Sequence, residues 1–363
     1  MDSLLDTLTP WRHHLHRHPE LSCQEQNTAQ FVCARLGELG IPFEAGIGGH
    51  GVVASLRRGG NRSVGLRADM DALPIHEATG ASHASTNPGV MHACGHDGHT
   101  VSLLGAAMLL RDDPSWSGTV HLLFQPAEEG FGGAQAMIDD GVLTRFPMER
   151  IFGYHNWPGL DAGTIALRPG PLMAQGARLA ITIHGHGGHA AMPDLTHDPV
   201  VCAGHILVAL QTVVSADADN QIPETVALRG TFRAMRPAVF DAVAARIQAV
   251  ITNTALALGC TATVVIERGV AATINDPTET ARAQRAARAL GLPLREDIPP
   301  TMASEDFGAF LQTIPGAYAW IGNGPATDGQ FLHNDKYDFN DAILPLAATY
   351  LAQIARDALA ASA

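Results

Sequence analysis

One pattern constrains this chain more than any other: short apolar runs that each stop at residues able to bind a metal. Ser63-Val64-Gly65-Leu66-Arg67 leads to Asp69, Thr119-Val120-His121-Leu122-Leu123-Phe124 to Glu128-Glu129, and Ile151-Phe152-Gly153-Tyr154 to His155. Each run reads as a strand. In an open α/β sheet, functional groups collect beyond the carboxyl ends of the strands. Repetition of the pattern points to one cleft along the edge of such a sheet, not to scattered surface groups.

Between the first two runs lies His92-Ala93-Cys94-Gly95-His96-Asp97-Gly98-His99. Taken alone, this stretch reads equally as a His-rich surface loop or a satisfied polar core. A cysteine two residues before a histidine, however, lets one turn of backbone offer a thiolate and an imidazole to the same ion. Glu128 and Glu129 repel each other and such pairs usually sit at the surface. Behind a buried strand, two charges without partners cost several kcal/mol, on the order of the usual penalty for unpaired buried ions, and a cation nearby is the simplest compensation. One Glu can then ligate while its neighbour handles protons. Asp69 and Asp71, at i and i+2, could hold a metal, orient a ligand, or form a solvated turn before Pro74. His333 sits in a late loop after another strand-like run around Tyr318 to Ile321.

A length of 363 residues suggests two domains. The net charge of −13 argues against nucleic acid and anionic membrane surfaces as partners. Five cysteines, odd in number and without a C-x-x-C pair, suggest a reducing compartment. Met1 to Asp6 carries no signal-peptide pattern and no apolar run approaches membrane-spanning length, so a cytoplasmic setting is expected.

Along the chain, Leu4 to Leu15 and Gln24 to Leu39 read as helices, Val52 to Leu56 as a strand, and Thr100 to Leu110 as an apolar helix. Gly46, Gly48 and Gly51 have dinucleotide-fingerprint spacing, but a strand follows them instead of a helix, so that reading is rejected. From Ala177 to Glu267 the strands and helices alternate as a small inserted α/β unit. Its expected hinges are Arg168 to Pro171 and Val270 to Pro277, where Pro and Gly mark boundaries. Within it, His184-Gly185-His186-Gly187-Gly188-His189 suits a polar substrate contact or a simple exposed turn. Arg229 and Arg233 share one face of a strand and could receive a carboxylate or form surface ion pairs.

Six ordered segments carry a family resemblance: Arg67-Ala68-Asp69-Met70-Asp71-Ala72-Leu73-Pro74, His92 to His99, Gln125 to Glu129, Gly188 to Pro193, Ser304 to Phe307, and Leu332-His333-Asn334. They resemble the amidohydrolase branch of the aminoacylase/carboxypeptidase two-metal metallohydrolase superfamily, the branch of hippurate hydrolase, N-acyl-amino-acid amidohydrolases and auxin-conjugate hydrolases. The resemblance covers nearly the whole chain. It implies an α/β catalytic domain (1–171 and 275–363) with a mixed, mainly parallel sheet flanked by helices. It also implies an inserted ferredoxin-like lid of the dimerisation type (172–274). It further implies two divalent ions (Zn, Mn, Co or Ni) held by Cys94, His96, Glu129, His155 and His333. Glu128 is the implied general base, Asp71 a supporting carboxylate, and His189, Asn220 and Arg233 the implied substrate contacts.

The chemistry agrees with the residues. Two divalent ions can polarise an amide carbonyl, Glu128 can move the proton from water to the leaving amine, and His189 can stabilise an oxyanion. The expected reaction is cleavage of an N-acyl amino acid to a carboxylic acid and a free amino acid. The rivals are an exopeptidase of the dipeptidase or carboxypeptidase type and a metal-binding relative that turns over weakly. One departure concerns assembly. The family implies a homodimer joined through a lid edge strand. Here the chain from Ser215 to Glu224 reaches at most about 33–36 Å, too little for a return along the preceding helix plus a strand. A monomer or weak dimer is expected.

Overall fold

The computed structural model describes residues 2–189, 195–210, 221–222, 224–327 and 330–360. The chain divides into two compact units: Met1–Leu172 with Thr273–Pro300 and Glu305–Ala363, and Met173–Ala272 with Thr301–Ser304.

The first unit is built on an eight-stranded mixed sheet. Its strands are β1 (Phe43–Ile47), β2 (Gly51–Arg58), β3 (Ser63–Asp69), β4 (Gly118–Gln125), β5 (Ile151–Pro158), β6 (Ile165–Ala166), β10 (Leu294–Arg295) and β11 (Gly316–Gly324). Their order is β1-β2-β4-β3-β5-β11-β6-β10, with β4, β3, β5 and β11 mutually parallel at the centre. Those central strands are buried along nearly their whole length, as expected where helices cover both faces. The longer helices of this unit are α1 (Asp2–Arg17), α2 (Gln26–Glu38), α3 (His96–Asp112), α4 (Gly133–Asp139), α7 (Pro277–Ala289) and α8 (Leu344–Leu359). The core runs through Leu8, Val32, Leu66, Leu104, Leu122, Phe152 and Leu351, all fully buried.

The second unit contains the antiparallel strands β7 (Gln175–His184), β8 (Thr225–Ala234) and β9 (Thr261–Arg268) in the order β8-β7-β9, with helices α5 (Pro199–Leu210) and α6 (Pro237–Ala257). Ile181 lies opposite Leu228 and Val264. These side chains pack with Cys202, Ile206 and Ile251 from the helices, so one face is apolar and the other polar. Gly188–His189 pairs with Gln221–Ile222 as a short ribbon. Asn220, the His189 side chain and the 215–219 link lie outside the described residues. Among the described residues, no helix is long and apolar enough to cross a membrane.

Three element boundaries differ from the sequence expectation. α3 starts at His96 instead of Thr100, because Gly95 adopts φ +92 and its carbonyl takes the His99 N–H at 3.0 Å. The extra turn is polar yet buried, so apolar periodicity does not mark it. β5 runs on through His155 to Pro158, held by parallel pairing of His155 with Trp320. β1 was not foreseen: it is an exposed edge strand whose first four residues carry no buried pattern. Gly46 lies in β1, Gly48 in the turn after it and Gly51 at the start of β2, so a strand follows the three glycines, as the sequence reading has it.

Candidate active site

The polar ends of β3 and β4 are held by one buried arginine. Arg67, 1% exposed, donates to Asp69 at 2.7 Å, to Gln125 Oε1 at 2.7 Å and to Asp306 at 2.9 Å, and lies 3.0 Å from Glu305. Gln125 Nε2 donates to Asp306, and Tyr318 donates to Glu305 at 2.6 Å. One guanidinium faces three carboxylates here. Burial, opposed by Arg67 and aided by Glu305, pushes Asp306 up to about 8.

The loop after β4 is pinned at each residue. Ala127 adopts φ +55 and donates its N–H to buried Glu25 at 2.8 Å. The Glu128 carboxylate accepts the Asp306 N–H at 3.3 Å, and the Glu129 N–H goes to Asp71 at 3.0 Å. The first turn of α4 closes on the loop so tightly that a Cβ at Gly133 would meet the Pro126 carbonyl at 1.7 Å.

Around this loop the structure gathers a set of nitrogen, sulfur and oxygen donors. Cys94, His96 and His155 place their donor atoms within 4.8 Å of one another, as do Cys94, Glu129 and His333, and His96, Glu128 and Glu129. Cys94 Sγ lies 3.3 Å from His155 Nε2. His333 is brought in by its main chain, which donates to the Ala93 carbonyl at 2.8 Å, and it adopts φ +61. Such a backbone costs about 1–3 kcal/mol in a non-glycine residue and gathers at functional sites.

The hydrogen bonds behind the rings decide which nitrogens face the cluster. His96 Nδ1 faces the Asp71 carboxylate at 3.2 Å and His155 Nδ1 faces the Asn156 carbonyl at 2.7 Å. Both partners only accept, so Nδ1 carries the proton and Nε2 points forward, as in metal-ligating histidines. His96 Nε2 and Glu129 Oε1 are 3.9 Å apart, buried, and make no hydrogen bond. Two buried polar atoms left facing each other, beside a thiol and two further imidazoles, fit divalent cations.

The electrostatics agree with that fit. Burial, then the charges of Glu129, Glu128 and Asp69, push the Cys94 thiol well above its ordinary range. Burial and then the charges of Glu305, Glu129 and Asp306 do the same to Glu128. Burial and the neighbouring His99 hold His155 well below the usual imidazole value, so it stays neutral. His96 resists burial, because Asp69 and Asp71 raise it to about 10. A divalent cation among these groups inverts the Cys94 penalty, since a coordinated thiol loses its proton outright.

Of the residues singled out from sequence, Cys94, His96, Glu128, Glu129, His155, His333 and Asp71 come together in the first unit. Asp71 orients His96, whereas Asp69 bonds Arg67 and His99 and still lies 3.8 Å from His96 Nε2. Arg233 belongs to the second unit, is exposed, and makes a 3.4 Å contact with Thr231. Sequence reasoning missed Arg67, Glu25 and Asn156 as structural partners of the site. Arg67 carried a signal: it shares a strand face with Asp69 at i+2.

A sequence model of peptidase family M20/M25/M40 matches residues 65–357. The chain is 37% identical to hippurate hydrolase of Campylobacter jejuni over 95% of this chain and 94% of that one. It is 37% identical to N-acetyl-L-cysteine deacetylase of Bacillus subtilis, covering 95% and 86%. With an IAA-amino acid hydrolase of Arabidopsis thaliana the identity is 36%, covering 98% and 87%. Among solved structures, a Bacillus subtilis dinuclear metal binding peptidase from the M20 family superposes with a TM-score of 0.90 at 33% identity, covering 99% of both chains.

Proposed function

The chain belongs to peptidase family M20/M25/M40 and is a metal-dependent amide hydrolase, and from that premise we propose that it cleaves N-acyl amino acids to a carboxylic acid and a free amino acid. The observation that carries this reading is the adjacent pair Glu128 and Glu129, one carboxylate set against Asp306 and the other facing Nε2 of His96. The names of the similar hydrolases, which act on hippurate, N-acetyl-L-cysteine and IAA conjugates, support the substrate class.

Cys94, His96, Glu129, His155 and His333 would hold two divalent ions, of zinc, manganese, cobalt or nickel. When bound, the ions supply Lewis acidity that polarises an amide carbonyl and acidifies water. Glu128, with its raised proton affinity, takes the proton of the attacking water and delivers it to the leaving amine nitrogen. Asp71 accepts the His96 Nδ1 proton, so that Nε2 is the nitrogen offered to an ion. In this reading 172–274 acts as a lid, His189 meets the developing oxyanion, and Asn220 and Arg233 contact the substrate. A cytoplasmic setting suits five cysteines that form no disulfide. For assembly, the short 215–224 link supports a monomer or weak dimer. Light scattering at micromolar protein then gives the mass of one chain, and a dimer that survives dilution to nanomolar overturns it.

The test is a panel of N-acetyl, N-benzoyl and N-indoleacetyl amino acids alongside dipeptides, offered to metal-reconstituted protein. The reading expects kcat/KM for the best N-acyl amino acid to exceed that for any dipeptide. The reverse order makes the protein an exopeptidase.

A further inference from the structure

The turn between α1 and α2 enters none of the chemistry above, although it touches the site at two places. Its backbone is docked beside the end of β3: the Ala72 N–H donates to the Glu20 carbonyl at 2.8 Å, and Leu21 pairs with Ala72. Glu20 takes the N–H groups of Asn27 and Thr28 in the first turn of α2, so the turn has supports besides the Ser22 hydroxyl. Cys23 adopts φ +65, a backbone that costs a non-glycine residue about 1–3 kcal/mol and gathers at functional sites. Ser22, 9% exposed, donates its hydroxyl to Asp71 Oδ2 at 2.6 Å. The same oxygen takes the Glu129 N–H at 3.0 Å, while Asp71 Oδ1 faces His96 Nδ1 at 3.2 Å. Glu25, fully buried, takes the Ala127 N–H at 2.8 Å and the Cys23 N–H at 2.9 Å. The residues flanking Glu128 are thus both tied to this one turn, Ala127 directly by Glu25 and Glu129 through Asp71.

We propose that Ser22 is a positioning residue, which fixes the Asp71 carboxylate so that it holds the His96 ring and the Glu129 main chain in one relation. Of the three bonds to Asp71, the one from Ser22 is the shortest. A hydroxyl on an ionised carboxylate at about 2.5–2.7 Å makes a charge-assisted bond, roughly twice as strong as a neutral one. The carboxyl torsion of an aspartate is broad and soft. Without Ser22, only the longer contacts to Glu129 and His96 oppose its rotation. That rotation takes Oδ1 off the His96 Nδ1 proton and Oδ2 off the Glu129 N–H, so an imidazole and a carboxylate loosen together. Outer partners of ligating histidines typically change metal affinity by about 10–100-fold. Ser22 acts one bond further out, which places its effect at the low end of that range.

This inference rests on His96 and Glu129 being ligands, so the experiment reads that assignment separately. Imidazole nitrogen shifts and the Ser22 hydroxyl proton are recorded by NMR on wild-type protein with and without zinc. Cobalt(II) binding and absorption are measured on wild type, Ser22→Ala and Ser22→Thr. In wild type, zinc should shift His96 Nε2, and the Ser22 hydroxyl should give a low-field, slowly exchanging signal. Ser22→Ala should bind cobalt about 10-fold more weakly, with an altered absorption band. Ser22→Thr, which keeps the hydroxyl, should recover most of both. A purely structural role would lower the melting temperature and leave cobalt affinity and spectrum unchanged in the folded protein, and that result overturns the proposal. Equal losses in the two variants also overturn it, because the hydroxyl would then not be what matters. A freely exchanging Ser22 hydroxyl in wild type does the same, with no variant needed. No zinc response at His96 removes the ligand assignment and the proposal with it.

Discussion

The two units use polar residues in opposite ways. In the first, charged and polar groups sit at the carboxyl ends of strands that are buried on both faces, and almost every one is gripped by several partners. Arg67 alone engages Asp69, Gln125, Glu305 and Asp306. In the second, polar residues lie on the sheet face away from its helices and at its rim, and exposed ties appear, such as the Arg268–Asp241 pair between the end of β9 and α6. Buried ionic groups cost desolvation that only a full set of partners offsets, whereas exposed pairs contribute about 0–1 kcal/mol. The first pattern fixes geometry to tenths of an ångström, as a metal-binding catalytic site needs. The second leaves side chains free to adapt.

Matched glycine substitutions give the sharpest contrast. Gly95 has φ +92, and an added Cβ would meet Asn156 and Tyr337 at 2.4–2.5 Å. Gly95→Ala should lower stability by at least about 2 kcal/mol, from left-handed backbone strain and the clash together, and should weaken metal binding. Gly204, exposed in α5 with nothing within 4 Å of an added Cβ, should gain about 0.5–1 kcal/mol on change to Ala. Denaturant midpoints of both variants check this, and equal effects would erase the distinction between the units.

A second contrast is in acid. His121, 1% exposed in β4 and bonded to Ser55, is pushed down to about 4 by burial and by Arg57. The unfolded chain, with an ordinary imidazole near 6.5, therefore binds the proton first. The stabilisation is present above about pH 6.5 and is lost as pH falls toward 4, by at most about 3 kcal/mol at 1.36 kcal/mol per pK unit. His121→Leu should flatten that part of the stability profile. An unchanged slope between pH 6.5 and 4 would mean that the buried imidazole does not titrate as its surroundings require.

The smallest effect belongs to the exposed ion pair. Arg268→Ala should change stability by less than about 1 kcal/mol. A loss as large as that of Gly95→Ala would show that the second unit also depends on its polar contacts.

The donors of the site were legible because sequence places them where a parallel sheet must present them: Glu128 and Glu129 after one buried strand, His155 on another, Cys94 and His96 at a helix start. The partners that make them work were not. Arg67 and Asp306 are 239 residues apart, and His99 and Asn156 are 57 apart, so no periodicity links them. Polar α3 residues were hidden for a related reason: hydrophobic spacing marks helices by their apolar face, and the first turn of α3 is buried through hydrogen bonds instead. β1 was invisible because an exposed edge strand carries no buried stripe.

The central claim is that adjacent carboxylates divide the labour, Glu128 moving protons and Glu129 holding metal. Measuring kcat and bound metal together on Glu128→Gln and Glu129→Gln tests it most directly. Glu128→Gln should keep wild-type metal content and lose about 10²–10⁴-fold in kcat, while Glu129→Gln should lose metal. A Glu128→Gln protein that retains more than about a tenth of wild-type turnover, against that general-base range, or that loses its metal, would contradict the account.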